Sequence, residues 1–450
     1  NNVLCFPYIF RGALDVGATA INEEMKLAAV RAIAALAREA PSDVVSRAYG
    51  REAPTFGAQS LIPSPFDPRL ILRIAPEVAR AAMSTGVAKK PIVDFKAYEE
   101  QLSRFVFRSG MIMKPIIEKA RSNPKRILFA DGEDERVLRA TQVILEERMA
   151  TPILIGRPAA VARAIEKYGL SLKPNDDFEL VDPHDDHRYQ DYVATYVEIA
   201  GRKGITPDAA KVLTRTNTTV MAALALRRGD VDAMICGLEG RFPSRLRYIK
   251  DIVGLAPGAH DFSALSLLIS SRGAIFIADT HVRVSPTAEE IADMTAHCAE
   301  HVRRFGMTPK IALICDSDFG GADSPSAIKM RAALDIIRSR GPDFEVDGEM
   351  QADTALSPAI RNLVMPHSTL KGEANVLIMP NLDAANIAFQ LVKVAADALP
   401  VGPILLGAAR PAHVLTPSVT ARGIVNMAAI AAAEAQASEL ADAEERTFYR

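Results

Sequence analysis

RILFADGEDERVLRATQVILEERMATPILIG, Arg126 to Gly156, is the stretch from which the fold class can be read. An apolar run (Arg126–Ala130) meets a turn of glycine and acids, a helix-length segment follows, and a second apolar run (Pro152–Gly156) closes the unit. Neither run alternates polar with apolar residues, so both read as strands buried on two faces. Strand, helix, strand is the unit from which parallel sheets are built. The pattern continues with candidate strands at Phe178–Val181, Asp232–Cys236, Ala264–Ser270 and Ala274–Ala278. Further runs fall at Lys310–Cys315, Phe344–Val346, Val376–Met379 and Pro403–Leu406. The expected class is α/β with mostly parallel sheets. Gly254–Gly258, Gly-Leu-Ala-Pro-Gly, reads as a hinge between two lobes.

Composition narrows the function. The 450 residues are 49% hydrophobic and 24% charged, with a net charge of -2. That balance offers no basic field for nucleic acid and no acidic tail. No run reaches the ~18 apolar residues of a membrane span, and no signal-peptide pattern opens the chain. The four cysteines, Cys5, Cys236, Cys298 and Cys315, form no CxxC pair. This usage fits a reducing cytoplasm, with neither zinc nor a dithiol centre expected. The chain opens on Asn1-Asn2 without Met, inside an apolar run, and reads as a fragment whose upstream half is missing.

The first 125 residues look different. Asn22 is placed to cap a helix reaching about Ala40, and a Pro- and Gly-rich stretch follows from Ala53 to Pro68. Helix resumes near Pro76, and another starts at Asp94 and runs to about Phe107. Farther on, Ser285 is placed to cap a helix with Pro286 in its first position and Ile291, Met294, Cys298 and Val302 on one face.

Three motifs invite a chemical reading. The acids of Asp131-Gly132-Glu133-Asp134 are explained by the positive end of the helix they open. Gly320-Gly321-Ala322-Asp323-Ser324 follows a strand and opens a helix, where backbone N–H groups can receive phosphate. A glycine loop also simply lets the chain turn, and Asp316, Asp318 and Asp323 would repel an anion. His184-Asp185-Asp186-His187 sits in a polar loop and reads as solvated, so no metal site is expected. No GxGxxG nicotinamide fingerprint occurs.

Two resemblances then emerge. NNVLCFPYIFRGALD, Asn1 to Asp15, resembles the stretch of malic enzymes in which an Asn pair reaches the substrate carboxylate, and FGAQSLIPSPFDPRLILRIAPEVARAAMSTGVA, Phe56 to Ala88, resembles the closing part of bacterial malic enzymes. This likeness implies that Asn1 or Asn2 contacts malate in the intact enzyme. It places NADP, Mg2+ or Mn2+ and the acid–base residues upstream, with no cofactor in this chain. ADGEDERVLRA (Ala130–Ala140), GDVDAMICG (Gly229–Gly237), DGEMQAD (Asp347–Asp353), PNLDAANIA (Pro380–Ala388) and GPILLGAARPAHVL (Gly402–Leu415) resemble phosphate acetyltransferases. Their order and spacing agree over residues 120–435. The order of the two parts is that of the large hybrid malic enzymes of bacteria.

The resemblance implies a two-lobed, three-layer α/β/α domain after a mainly helical remnant of a malic enzyme NAD(P) domain. The expected bounds are 1–95 for that remnant, 96–125 for linker helices, 126–255 with 416–450 for one lobe, and 256–415 for the other. It also implies a cleft for CoA and acetyl phosphate, and pairing of subunits. Acetyl-CoA candidates are Ser317, Gly320, Gly321, Ser324, Lys329, Asn386 and Thr416.

Departures from the family decide the expected function. Active members carry Ser-Arg-Gly and then an Asp before Ile-Val, a Ser and Asp that handle the CoA thiol proton. Here the frame reads Thr416-Pro417, and Gly423 precedes Ile424-Val425. Losing a positioned general base costs typically ~10²–10⁴ in rate. The family's loop lysines fall near Phe319 and Asp323, its loop Thr near Asp318, and an upstream Arg at Ala200. The expectation is a regulatory and oligomerising part of an NADP-dependent malic enzyme that binds acetyl-CoA as an inhibitor without turnover. Its partners would be acetyl-CoA, the upstream malic enzyme domains and further copies of itself, from a dimer up to a hexamer. An active phosphate acetyltransferase and a purely structural assembly module are the alternatives; the Ala-rich helix (about Asn426–Leu440) reads equally as a subunit contact or as a core face.

Overall fold

A computed structural model of the chain describes residues 2–38, 57, 61–63, 67, 69–270 and 272–448. It divides into two compact units, Asn1–Lys114 and Pro115–Arg450. No helix among the described residues is long and apolar enough to cross a membrane.

The first unit is helical: α1 (Asn2–Asp15), α2 (Glu23–Arg38), α3 (Arg69–Ser84) and the start of α4 (Phe95–Ser122). Asn22 caps α2, its Oδ1 accepting from the Met25 N–H at 3.0 Å. The Pro- and Gly-rich stretch lies largely outside the described residues. α3 starts at Arg69 rather than near Pro76, and the proline sits inside it. Leu70, Ile71, Ile74, Ala75, Val78, Ala79 and Ala82 are buried along one face. That burial outweighs the ~3 kcal/mol by which an interior proline disfavours a helix. α1 presses on α3 at Gly12, where an added Cβ would lie 2.5 Å from the Ala75 carbonyl oxygen. α4 runs unbroken to Ser122, past the expected end near Phe107.

The second unit continues with β1 (Lys125–Phe129), α5 (Glu135–Glu146), β2 (Ala150–Ile155), α6 (Pro158–Tyr168) and β3 (Glu179–Val181). Then come α7 (Tyr189–Ala200), α8 (Pro207–Thr216), α9 (Thr218–Arg228), β4 (Ala233–Cys236) and α10 (Phe242–Ile252). Next are β5 (Ser263–Ser270), β6 (Gly273–Ala278), α11 (Ala288–Arg304), β7 (Lys310–Ile314), α12 (Pro325–Ser339) and β8 (Glu345–Met350). The chain finishes with α13 (Ala352–Leu356), α14 (Pro358–Val364), β9 (Val376–Ile378), α15 (Leu382–Ala395), β10 (Leu399–Leu406), β11 (Ala412–Val414) and α16 (Ala421–Phe448).

Two sheets result, in the orders β11-β4-β1-β2-β3 and β10-β5-β6-β9-β7-β8. The first is wholly parallel. Leu128 and Ala130 face a core of α7 to α10 side chains that includes Tyr192, Tyr196, Val220 and Leu224. α5 and α16 pack together and against this sheet. The second sheet is parallel through β6, β9, β7 and β8, but β5 runs antiparallel to β6 and β10. Only two residues join β5 to β6, and a parallel pair needs a crossover of a dozen or more.

Two local expectations change, and one that stood open is decided. β11, which the boundary at 416 assigns to the second lobe, pairs with β4 in the first sheet. The cap of α11 is Thr287 rather than Ser285, and Pro286 precedes the helix. Thr287 and Glu290 exchange side-chain-to-backbone bonds, a reciprocal box that satisfies two donors where a lone serine would satisfy one. Residues of α16 from Ile424 to Gln436 are buried within this chain, so that stretch of the Ala-rich helix is core.

The chain crosses between the sheets twice, and the crossings lie side by side. Leu255 and Ala408 form a β-bridge, the Ala256 N–H donates to the Gly407 oxygen at 2.9 Å, and the Ala409 N–H donates to the Gly254 oxygen at 3.0 Å. A second tie is buried: Glu434 of α16 faces His413 of β11 at 3.2 Å and His301 of α11 at 3.3 Å. The Leu405 N–H donates to His413 Nδ1, which puts the remaining proton on Nε2, toward the carboxylate.

Candidate functional site

The glycine loop after β7 folds around a carboxylate of its own chain. Glu349, at the end of β8, is 0% exposed. Its Oε1 accepts from the Gly320 N–H at 2.8 Å, the Ser317 hydroxyl at 3.0 Å and Arg331 Nη1 at 2.9 Å. The N–H that the sequence offers to a phosphate is thus already donated inside the loop. The Ser317 oxygen in turn accepts from the Ala322 N–H. Ser324 caps α12 and donates its hydroxyl proton to Asp316, while Asp323 pairs with Arg331 and Asp318 accepts from the Gln351 N–H. Gly321 turns the chain, its N–H donating to the Asp318 oxygen. The loop's cation and donors therefore compensate carboxylates already present.

The other candidates also have structural partners. Lys329 donates to the Pro380 oxygen at 2.7 Å, and Asn386 Nδ2 to the Thr280 oxygen at 3.1 Å. Thr416 lies just after β11, its hydroxyl 3.1 Å from that of Ser418. The Pro417 and Val419 oxygens both accept from Arg136 Nη1, which anchors this turn to the start of α5. Gly423 lies in the first turn of α16, where an added Cβ would meet Val419 Cγ2 at 2.7 Å. Asn1 lies outside the described residues; Asn2 begins α1.

The acids after β1 depart from the dipole reading. Only Glu135 falls in the first turn of α5, with Asp134 as its cap. Asp131 Oδ2 accepts from the Gly237 and Leu238 N–H groups, bridging the ends of β1 and β4, and Glu133 pairs with Arg157. Asp131, Glu133, Asp134 and Arg157 line a pocket of about 530 Å3, together with Arg215, Asn217, Glu239 and Arg245. Burial is the largest influence on Asp131 and raises its carboxyl above the ordinary range, against the two amides and Arg245. The sequence reading missed this pocket: its walls come from segments more than a hundred residues apart, and no local motif announces them. In the suspected metal loop, the Asp186 carboxylate is paired with Arg188.

Residues 111–432 match the family described as phosphate acetyl/butaryl transferase. The chain is 61% identical over 435 residues to an NAD-dependent malic enzyme of Rhizobium meliloti, covering 96% of this chain and 56% of that protein. It is 50% identical over 441 residues to an NADP-dependent malic enzyme of Escherichia coli, covering 98% and 58%. The chain thus spans a little over half the length of these two relatives. A phosphate acetyltransferase of Thermoanaerobacterium thermosaccharolyticum is 32% identical over 332 residues, 72% of this chain and 99% of that protein. A phosphotransacetylase from Streptococcus pyogenes superposes with a TM-score of 0.67 at 27% identity, over 72% of this chain and 98% of that one. Full coverage of an acetyltransferase by the two-sheet unit, together with its fold, leads to one assignment: the chain belongs to the phosphate acetyl/butaryl transferase family.

Proposed function

We propose that this chain is the regulatory and assembling part of a malic enzyme, and that its acetyltransferase-like unit binds acetyl-CoA as an inhibitor without turning it over. The parent reaction is oxidative decarboxylation of malate to pyruvate with NADP or NAD, the two cofactors that the relatives' names carry. The observation that carries the reading is the loop at 317–324, whose anion-binding donors are engaged by Glu349. The missing proton acceptor at Gly423 points the same way. Self-association is supported by α15, where Ile387, Leu391 and Val394 form an apolar stripe 57%, 64% and 76% exposed.

Inhibition at a distance would be worth ~1–3 kcal/mol of coupling and must be reciprocal between the two ligands. The test is a pair of assays on one preparation. Acetyl-CoA at 100 times its dissociation constant should stabilise the fold by ~2.7 kcal/mol. The same sample should form no acetyl-CoA from acetyl phosphate and CoA. The Thr416 hydroxyl and the acetyltransferase relative favour the competing reading of an active enzyme, and a normal turnover rate would establish it.

A further inference from the structure

We propose that the turn after β6, residues 279–284, is a coupling element that ties the angle between the two lobes to the seating of α15. A change at α10 in the first lobe is then felt at α15 in the second, and the reverse. The coupling belongs to the fold and holds whichever ligand sets the lobe angle.

The turn is built to move as one piece. Asp279 is 2% exposed. Its Oδ1 accepts from the Ala264, His281 and Val282 N–H groups, each at 3.0 Å, and its Oδ2 accepts from the Arg283 N–H at 2.8 Å. Thr280 is fully buried, its hydroxyl 2.7 Å from that of Ser266 on β5 and 2.8 Å from His281 Nδ1. One carboxylate thus fixes three successive amides, and the side chains of His281, Val282 and Arg283 shift together.

The first lobe reaches this turn from both ends of α10. At its start, the Phe242 ring lies 5.3 Å from the His281 ring. In its last turn, Lys250 donates to Asp261 Oδ1 at 2.8 Å, and Arg283 donates to the other oxygen of the same carboxylate. Between these two ties, Val282 packs against the core of the first lobe.

The second lobe connects the turn to α15. Asn386 Nδ2 donates to the Thr280 oxygen at 3.1 Å, and the Leu382 N–H donates to the Val284 oxygen at 3.2 Å. Phe389 sets its ring edge-on to His281 at 6.4 Å. Positions 382, 386 and 389 share one helix face, so the turn holds α15 along two turns of its length. Ile387, Leu391 and Val394 lie exposed on the same helix. An unbroken line of packed rings, ion pairs and hydrogen bonds therefore runs from α10 to α15, and such contiguous contacts carry displacement between rigid elements.

Hydrogen exchange of the whole chain at neutral pH, read by mass spectrometry, tests the coupling. Phe242→Ala should speed exchange of the α15 amides by at least about fivefold, the low end of coupling between sites. Lys250→Gln, which removes a half-exposed partner, should speed it by about twofold, as loss of such an ion pair does. β8, at the far edge of the same sheet, should not change. In the reverse direction, Asn386→Ala should speed exchange of residues 246–252 in α10 and leave β2 as it was, because coupling is reciprocal. Should Phe242→Ala fail to fold, Lys250→Gln and Asn386→Ala decide. Unchanged α15 in the first-lobe variants, equal acceleration of β8, or an effect in one direction only would each overturn the proposal.

Discussion

Replacing Glu349 by Ala removes the carboxylate around which the 317–324 loop is built. Three donors then lose their acceptor: the Ser317 hydroxyl, the Gly320 N–H and Arg331 Nη1, at 2.8 to 3.0 Å. A hydrogen bond to a charged group contributes ~1.5–3 kcal/mol, but the three share one oxygen and do not add. Glu349 is buried, but Arg331 is partly exposed and keeps its pair with Asp323, so a loss of ~1.5–3 kcal/mol is expected here. At ~2 °C per kcal/mol for a large domain, the melting temperature should fall by about 3–6 °C. The deletion also leaves a carboxylate-sized hole lined by donors, which a small anion can fill. Calorimetric melts in sodium acetate or propionate, against sodium chloride at equal ionic strength, should restore part of the loss in the variant and none in the wild type. Glu349→Gln keeps the shape and removes the charge, and should fall between. A loss below about 1 kcal/mol for the alanine variant, with no anion rescue, would refute the claim that the loop is organised from within.

Three further outcomes are expected. Burial pushes the His301 imidazole down to about 3 and that of His281 to about 4. The unfolded chain therefore takes up protons near pH 6.5 that the folded one refuses, so both groups stabilise the fold fully above that pH and lose this as pH falls. Between pH 7 and 5 each should remove ~2 kcal/mol, and urea denaturation at the two pH values should show a smaller drop in His301→Asn. Arg361 is 1% exposed and donates to the backbone oxygens of Thr354, Ala355, Leu370 and Gly372, with no carboxylate partner among the described residues. Its replacement by Ala should destabilise by ~3 kcal/mol or more, measured by denaturant titration, because four buried carbonyls lose a donor. Gly12→Ala should cost ~1–3 kcal/mol by thermal melt, since its Cβ would collide with α3.

Most of the architecture was legible because doubly buried strands carry their signal locally. Ten apolar runs correspond to ten strands of the structure, with ends displaced by a few residues. β11 escaped because it has three residues, and the middle one, His413, looks polar until its pairing with Glu434 is known. α3 escaped at its start because proline's local penalty is visible in sequence while the burial that overrides it is not. The resemblance carried the family, and the changes at Thr416, Pro417 and Gly423 could be read directly. The interior engagement of the glycine loop could not. It depends on Glu349, twenty-five or more residues downstream, and on Arg331 from the following helix. The first-lobe pocket was hidden for the same reason: Asp131, Arg215 and Arg245 meet only when three strand–helix crossovers have closed.

The paired crossings at 254–256 and 407–409 set how the two sheets can move. Two separate tethers would let one lobe twist, slide and tilt against the other. Joined by a β-bridge and two backbone bonds, they act as a single pin, and the least resisted displacement is rotation about the line of that strap. α16 lies off this line, with Glu434 joined to His301 of the other lobe, and so serves as a stay on the same swing.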